Sequence, residues 1–152
     1  MALEDRSANN IARVLSHSRL FYGMPPASLI DLISNSRIED IHPGASEPFR
    51  IPVNELRNIL EGDLRILFGA SVERVLGRGN FFGETALLDL ALTPELDTVR
   101  AQSRTGCTCL VTKPAQLIAW MERHPQLQAR LYQHLSQELF NQSASTASGS
   151  AA

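Results

Sequence analysis

The 152-residue sequence has little that would carry catalytic chemistry. It contains two cysteines, Cys107 and Cys109, and no second cysteine or histidine pair that could complete a four-ligand zinc site. As alternate residues of an extended run they share one face, at a spacing too tight for an ordinary disulfide, so they read as reduced thiols of a reducing compartment. No His-x-His pair occurs, which excludes the usual iron or manganese set of small β-barrel enzymes. His17, His42, His124 and His134 show neither metal-binding nor catalytic spacing and read as surface or capping residues. The single lysine, Lys113, accompanies thirteen scattered arginines, and with a net charge of -2 and a pI near 6.1 no face for a polyanion is expected. No run approaches the roughly 18 apolar residues needed to cross a bilayer, and Met1 to Arg6 lacks the apolar core of a secretory signal. The expectations are a cytoplasmic protein with no catalytic residues, no cofactor, no metal, no membrane span and no direct contact with nucleic acid.

What is present suffices for one core. At 43% hydrophobic the chain matches a single globular domain over residues 1–142, followed by a low-complexity tail or linker at 143–152. Ile11, Val14 and Leu15 have helical spacing, and Pro25-Pro26 opens a second helix that buries Leu29, Ile30, Leu32 and Ile33. Arg37 to His42 reads as a strand ending at Pro43-Gly44, and Pro48 and Pro52 make the next strand irregular or an edge. Leu56 to Phe68 is two extended runs broken at Glu61-Gly62-Asp63, which predicts a hairpin. Val72 to Leu76, Thr98 to Ala101 and Cys107 to Thr112 are further strands, and helices open at Pro114 and Pro125. Short strands at this spacing imply an α+β, mainly β fold: a small antiparallel barrel or sandwich flanked by N-terminal and C-terminal helices.

The densest signal is the stretch from Gly79 to Leu88, where two glycines and a carboxylate precede a short apolar run. Glycine lets the main chain approach a ligand closely, consecutive amides can cradle an anion, and a glutamate can accept hydrogen bonds from sugar hydroxyls. Phe82-Gly83-Glu84-Thr85-Ala86-Leu87-Leu88 resembles the phosphate-binding cassette of cyclic-nucleotide-binding domains, the module of the catabolite activator protein family. The hairpin glycine Gly62, the turn glycine Gly44, the approach Val75 to Glu84 and the strand Thr98 to Ala101 are similar to that family in order and spacing. The resemblance spans roughly Asn9 to Asn141. It implies a jelly-roll barrel, or double-stranded β-helix, with a ligand site at Phe82, Gly83, Glu84, Thr85 and Ala86. There Glu84 would bind the ribose hydroxyl and the neighbouring amides the cyclic phosphate. A second role for Glu84, as a carboxylate at a helix N-terminus, stays open.

One departure from the family pattern matters. Aligning Thr98-Val99-Arg100-Ala101 on the family strand places Glu95 where the phosphate-pairing arginine belongs. An arginine to phosphate contact contributes about 1.5 to 3 kcal/mol per charge-assisted hydrogen bond. A carboxylate there loses that attraction and adds repulsion of about 1 kcal/mol or more. The expectation is a non-catalytic sensory or regulatory domain that lacks the usual cyclic-AMP binding. The alternative is a functional receptor for cyclic AMP, cyclic GMP or a cyclic dinucleotide in which Arg100 replaces the lost charge. Leu127, Leu131, His134 and Leu135 recur at helical steps in the last helix. In the regulator branch of the family that helix pairs with its twin, so a homodimer through it, or an attached effector domain, is the expected partner. Packing of the same stripe onto its own barrel is the other reading.

Overall fold

The computed structural model describes residues 3–44, 49–68, 72–83 and 98–137. Two helices come first. Helix α1 (Ala8–Leu15) is capped by Ser7, whose hydroxyl accepts from the Asn10 amide, and it buries Ile11, Ala12, Val14 and Leu15. Helix α2 (Pro26–Ser34) starts on Pro26, whose missing N–H costs nothing in the first turn, and buries Leu29, Leu32 and Ile33.

Among the described residues eight strands follow: β1 (Arg37–Ile41), β2 (Phe49–Pro52), β3 (Leu56–Gly62), β4 (Leu64–Phe68), β5 (Val72–Leu76), β6 (Phe81–Phe82), β7 (Thr98–Gln102) and β8 (Cys107–Thr112). They form two four-stranded antiparallel sheets, ordered β1-β8-β3-β6 and β2-β7-β4-β5. This interleaving of strands between two sheets, with only β4 and β5 consecutive in one sheet, is the jelly-roll order, so the expected mainly β fold is the observed one. Strand β2, which ends on Pro52, lies at a sheet edge, as a residue without an amide donor requires.

The expected hairpin over Leu56 to Phe68 is corrected. Strand β3 pairs with β8 and β6, whereas β4 pairs with β5 and β7, so the chain crosses from one sheet to the other between them. The turn is held against its neighbour rather than closed on itself. Gly62 has φ +92° and sits where an added Cβ would fall 2.0 Å from the Gly106 carbonyl oxygen. The Asp63 carboxylate accepts from the amides of Arg104 (3.2 Å) and Thr105 (2.9 Å), tying the crossing to the β7–β8 connection. Burial opposes ionisation of Asp63, yet the hydrogen bonds from Thr105, Arg104 and Ser103 outweigh it and hold its carboxyl below the ordinary value.

Two apolar clusters result. Between the sheets lie Ile41, Ile51, Ile59, Leu64, Ile66, Leu76, Phe82, Ala101, Cys107, Cys109 and Val111. On the outer face of the first sheet, Leu56, Leu60, Phe81 and Leu110 meet the helices. Strand β8 is buried along its whole length because both of its faces are covered. Helix α3 (Pro114–Arg123) and helix α4, described over residues 125–137, complete the helical layer. Trp120 anchors it: the indole N–H donates to the Ser28 carbonyl at 2.8 Å and the ring stands edge-on to Phe21, with centroids 5.8 Å apart. Among the described residues no helix is long and apolar enough to cross a membrane.

Candidate functional site

The approach to the cassette is fastened to β3. The Gly79 amide donates to the Ile59 carbonyl and the Ile59 amide to the Asn80 carbonyl, both at 2.9 Å. The Asn80 side chain accepts from the Gly77 amide at 2.7 Å. Strand β6 then sends its two rings to opposite sides: Phe81 joins the helical cluster and Phe82 the cluster between the sheets. Gly83 follows at φ +94°, pressed so closely on β3 that a Cβ would lie 1.9 Å from the Glu55 carbonyl oxygen. Of the expected ligand residues, Phe82 is therefore a core side chain, 6% exposed, and Gly83 is a buried glycine directly after β6. Glu84, Thr85, Ala86 and Glu95 lie outside the described residues.

Arg100 is placed on the outside. Val99 and Ala101, its neighbours on β7, pack toward the cluster between the sheets, so Arg100 points to the other face and is exposed. In register it stands opposite Arg50 of β2 and Leu67 of β4. Bringing it between the sheets would require a one-residue slip that expels Ala101, which is fully buried.

A different arginine meets the cassette entrance. Arg74 is two residues before the buried Leu76 on β5 and shares its inward face. Its Nη2 donates to the Phe81 carbonyl at 3.4 Å, and its guanidinium lies 6.0 Å from the centre of the Phe82 ring. The sequence pattern holds this signal, since Arg74 alternates with Leu76 in the strand that feeds the cassette.

Beneath Gly83 lies an ionic network. Arg37 donates to both oxygens of Glu55 at 2.8 Å, and Arg57 donates to Glu39 at 2.8 Å. Arg57 is 1% exposed, in register with Phe82, and 3.8 Å from Glu55. The hydrogen bonds from Arg37 hold the Glu55 carboxyl below its ordinary value despite burial, and Glu55 raises Arg37 in turn. A guanidinium inside a β sandwich cannot be read from a strand run such as Leu56-Arg57-Asn58-Ile59, because its acidic partner Glu39 is remote in sequence.

The C-terminal stripe is used within the chain. Leu127, Leu131 and Leu135 are buried in the helical cluster, at 5%, 0% and 1% exposure. The His134 Nδ1–H donates to the Leu20 carbonyl at 2.8 Å. Of the two readings of this stripe the structure shows the packing within the chain: the four residues seat α4 on the N-terminal segment, and Tyr132 of α4 is exposed. Cys107 and Cys109 are free and buried, with their sulfurs 3.4 Å apart. Among the described residues no group of three or more histidine, cysteine or acidic side chains could hold a metal ion.

A scan against protein-family models gives no match to the chain, and a search of curated proteins gives none either. Solved structures do match. The N-terminal domain of a transcriptional regulator from Streptomyces coelicolor A3(2) is 18% identical, with a TM-score of 0.62 over 88% of this chain and 94% of that one. The sensor domain of the transcriptional regulator DNR from Pseudomonas aeruginosa is 17% identical, with a TM-score of 0.61 over 90% of this chain and 93% of that one. The Thermus thermophilus catabolite activator protein is 21% identical, with a TM-score of 0.62 over 88% of this chain, and the match spans 63% of its own length. At these identities the likeness is one of fold. The chain has the fold shared by catabolite activator protein and the sensor domains of such transcriptional regulators.

Proposed function

We propose that the chain is a non-catalytic regulatory domain of the cyclic-nucleotide-binding type, in which the state of the cassette sets the position of the C-terminal helices. The observation that carries this reading is the split of β6. Phe82 is seated between the sheets, while Phe81, one residue away, packs in the same cluster as Leu117, Trp120 and Leu131 of α3 and α4. A shift of the cassette at Gly83 displaces a strand only two residues long, and with it a ring of the apolar cluster that both helices share. Because α4 spends its leucines on its own domain, the homodimer contact falls to its exposed side around Tyr132, or the helix acts on an attached effector domain.

In this reading cyclic AMP is not held in the usual way, because Glu95 takes the place of the phosphate-pairing arginine. Loss of that contact with added repulsion weakens binding by a few kcal/mol, and each 1.4 kcal/mol is about tenfold in affinity. Isothermal titration of the protein with cyclic AMP is expected to give no saturable heat in the micromolar range. Submicromolar binding that Arg100→Ala abolishes would refute the claim.

A second reading rests on Arg74. Its guanidinium lies at the cassette entrance, so a cyclic nucleotide or cyclic dinucleotide receptor would draw its cation from β5 rather than β7. Titrations with cyclic GMP and cyclic di-GMP separate the two: affinity lost in Arg74→Gln and kept in Arg100→Ala supports this receptor.

A further inference from the structure

The cysteine pair has no part in the ligand reading, and its surroundings suit a different chemistry. Cys107 and Cys109 share the inward face of β8, with both sulfurs buried and 3.4 Å apart. A cavity of about 410 Å³ at this end of the sandwich is lined by Cys107 and Gly106 on one side and by His42, Asp40 and Arg6 on the other. It brings the surface to the edge of the pair. A buried thiol beside a cavity is reachable by a small neutral molecule and closed to a large one.

We propose that Cys107 and Cys109 form a covalent modification site, oxidised by a hydroperoxide to an intrachain disulfide that a dithiol reverses. The Cys109 thiol is favoured as the thiolate, because Cys107 donates a hydrogen bond to it and, against the cost of burial, Arg57 lies close enough to attract the charge. The same hydrogen bond, and then burial, hold Cys107 as the thiol. The Cys109 thiolate, having given its proton to water, attacks one peroxide oxygen. The O–O bond breaks, Cys109 becomes a sulfenic acid, and the departing hydroxide takes the Cys107 proton to form water. The Cys107 thiolate then attacks the Cys109 sulfur and displaces a second hydroxide, which recovers the proton first released. Two thiols and one hydrogen peroxide give one disulfide and two waters, and the sulfurs supply both electrons.

The bond would draw the sulfurs from 3.4 Å to about 2.05 Å, and two alternate residues of one strand cannot meet that without puckering β8. Strained disulfides are the readily reduced kind, suited to a switch rather than a staple. Strand β8 lies between β1 and β3 and runs through Lys113 directly into α3, so the pucker reaches the same helices that the cassette addresses.

The test uses the intact folded chain. It is treated with hydrogen peroxide, then unfolded and alkylated with iodoacetamide, and its mass is measured. Loss of both alkyl adducts, with their return after dithiothreitol, is the expected result. Cys107→Ser should stop at the Cys109 sulfenic acid and gain one dimedone adduct that Cys109→Ser does not gain. Two alkyl adducts retained at a peroxide dose that oxidises the unfolded chain would overturn the proposal. So would a disulfide found only between two chains on a non-reducing gel.

Discussion

At the residue scale the fold depends on a few positions where one atom more or one charge fewer is decisive. Gly62 and Gly83 both have positive φ and both face a carbonyl oxygen, at 2.0 Å and 1.9 Å from where a Cβ would stand. Neither obstacle is the flexible end of a side chain, so the backbone itself must move. Gly62→Ala and Gly83→Ala are each expected to destabilise by about 2 to 4 kcal/mol in urea unfolding. Gly44 has positive φ and open space, so alanine there should cost less than about 2 kcal/mol. Arg57 is the opposite case, a buried charge paired with acids remote in sequence. Arg57→Ala empties a fully buried volume and takes from Glu39 the nearer of its two guanidinium partners, Arg37 being the other, and should cost about 2 to 4 kcal/mol, measured by thermal or urea unfolding. A third consequence concerns acid. Hydrogen bonds from Arg37 hold Glu55 below the ordinary carboxylate range, so its ionised form is bound more tightly in the folded chain than in the unfolded one. The stability this gives is complete above the unfolded value of about 4.3 and is lost as pH falls through the lower folded value. Unfolding followed from pH 6 downward should show a loss below about pH 4 that is shallower in Glu55→Gln.

At the scale of elements, much was legible and the failures have one cause. Ile11, Val14 and Leu15, the prolines at 26 and 114, and the β-branched and apolar runs of β5 and β8 are local signals, and each element they mark is present. What could not be read was pairing. Leu56 to Phe68 has the pattern of a hairpin, but Asp63 binds the Arg104 and Thr105 amides, and β4 belongs to the other sheet. The stripe of α4 gave no sign of its partner because a leucine row fits a twin helix and a home core equally well. Tertiary contact decides it, with Leu131 fully buried on the N-terminal helices. Leu131→Asp is therefore expected to unfold the domain rather than dissociate a dimer. Tyr132→Asp should keep the circular dichroism of the native chain and, if α4 pairs with its twin, halve the sedimenting mass. Of the candidate site Phe82 and Gly83 fall within the described residues, and Arg74, a cation at that entrance, precedes the cassette instead of following it.

At the scale of the whole molecule, two cores share one layer. The sheet β1-β8-β3-β6 has the helices on one side and the second sheet on the other, so its residues alternate between a rigid sandwich and a helical cover. Any event inside the sandwich that moves this sheet is felt outside it. Phe81 and Phe82 make the point in adjacent residues. Amide hydrogen exchange on Phe81→Ala and Phe82→Ala tests that coupling most directly. Either substitution should cost about 3 to 5 kcal/mol, so protection must be compared segment by segment after matching global stability with urea. The account predicts that Phe81→Ala selectively loosens residues 114–137, while Phe82→Ala loosens the facing strands and leaves that segment protected. Equal protection of residues 114–137 in the two variants would contradict it.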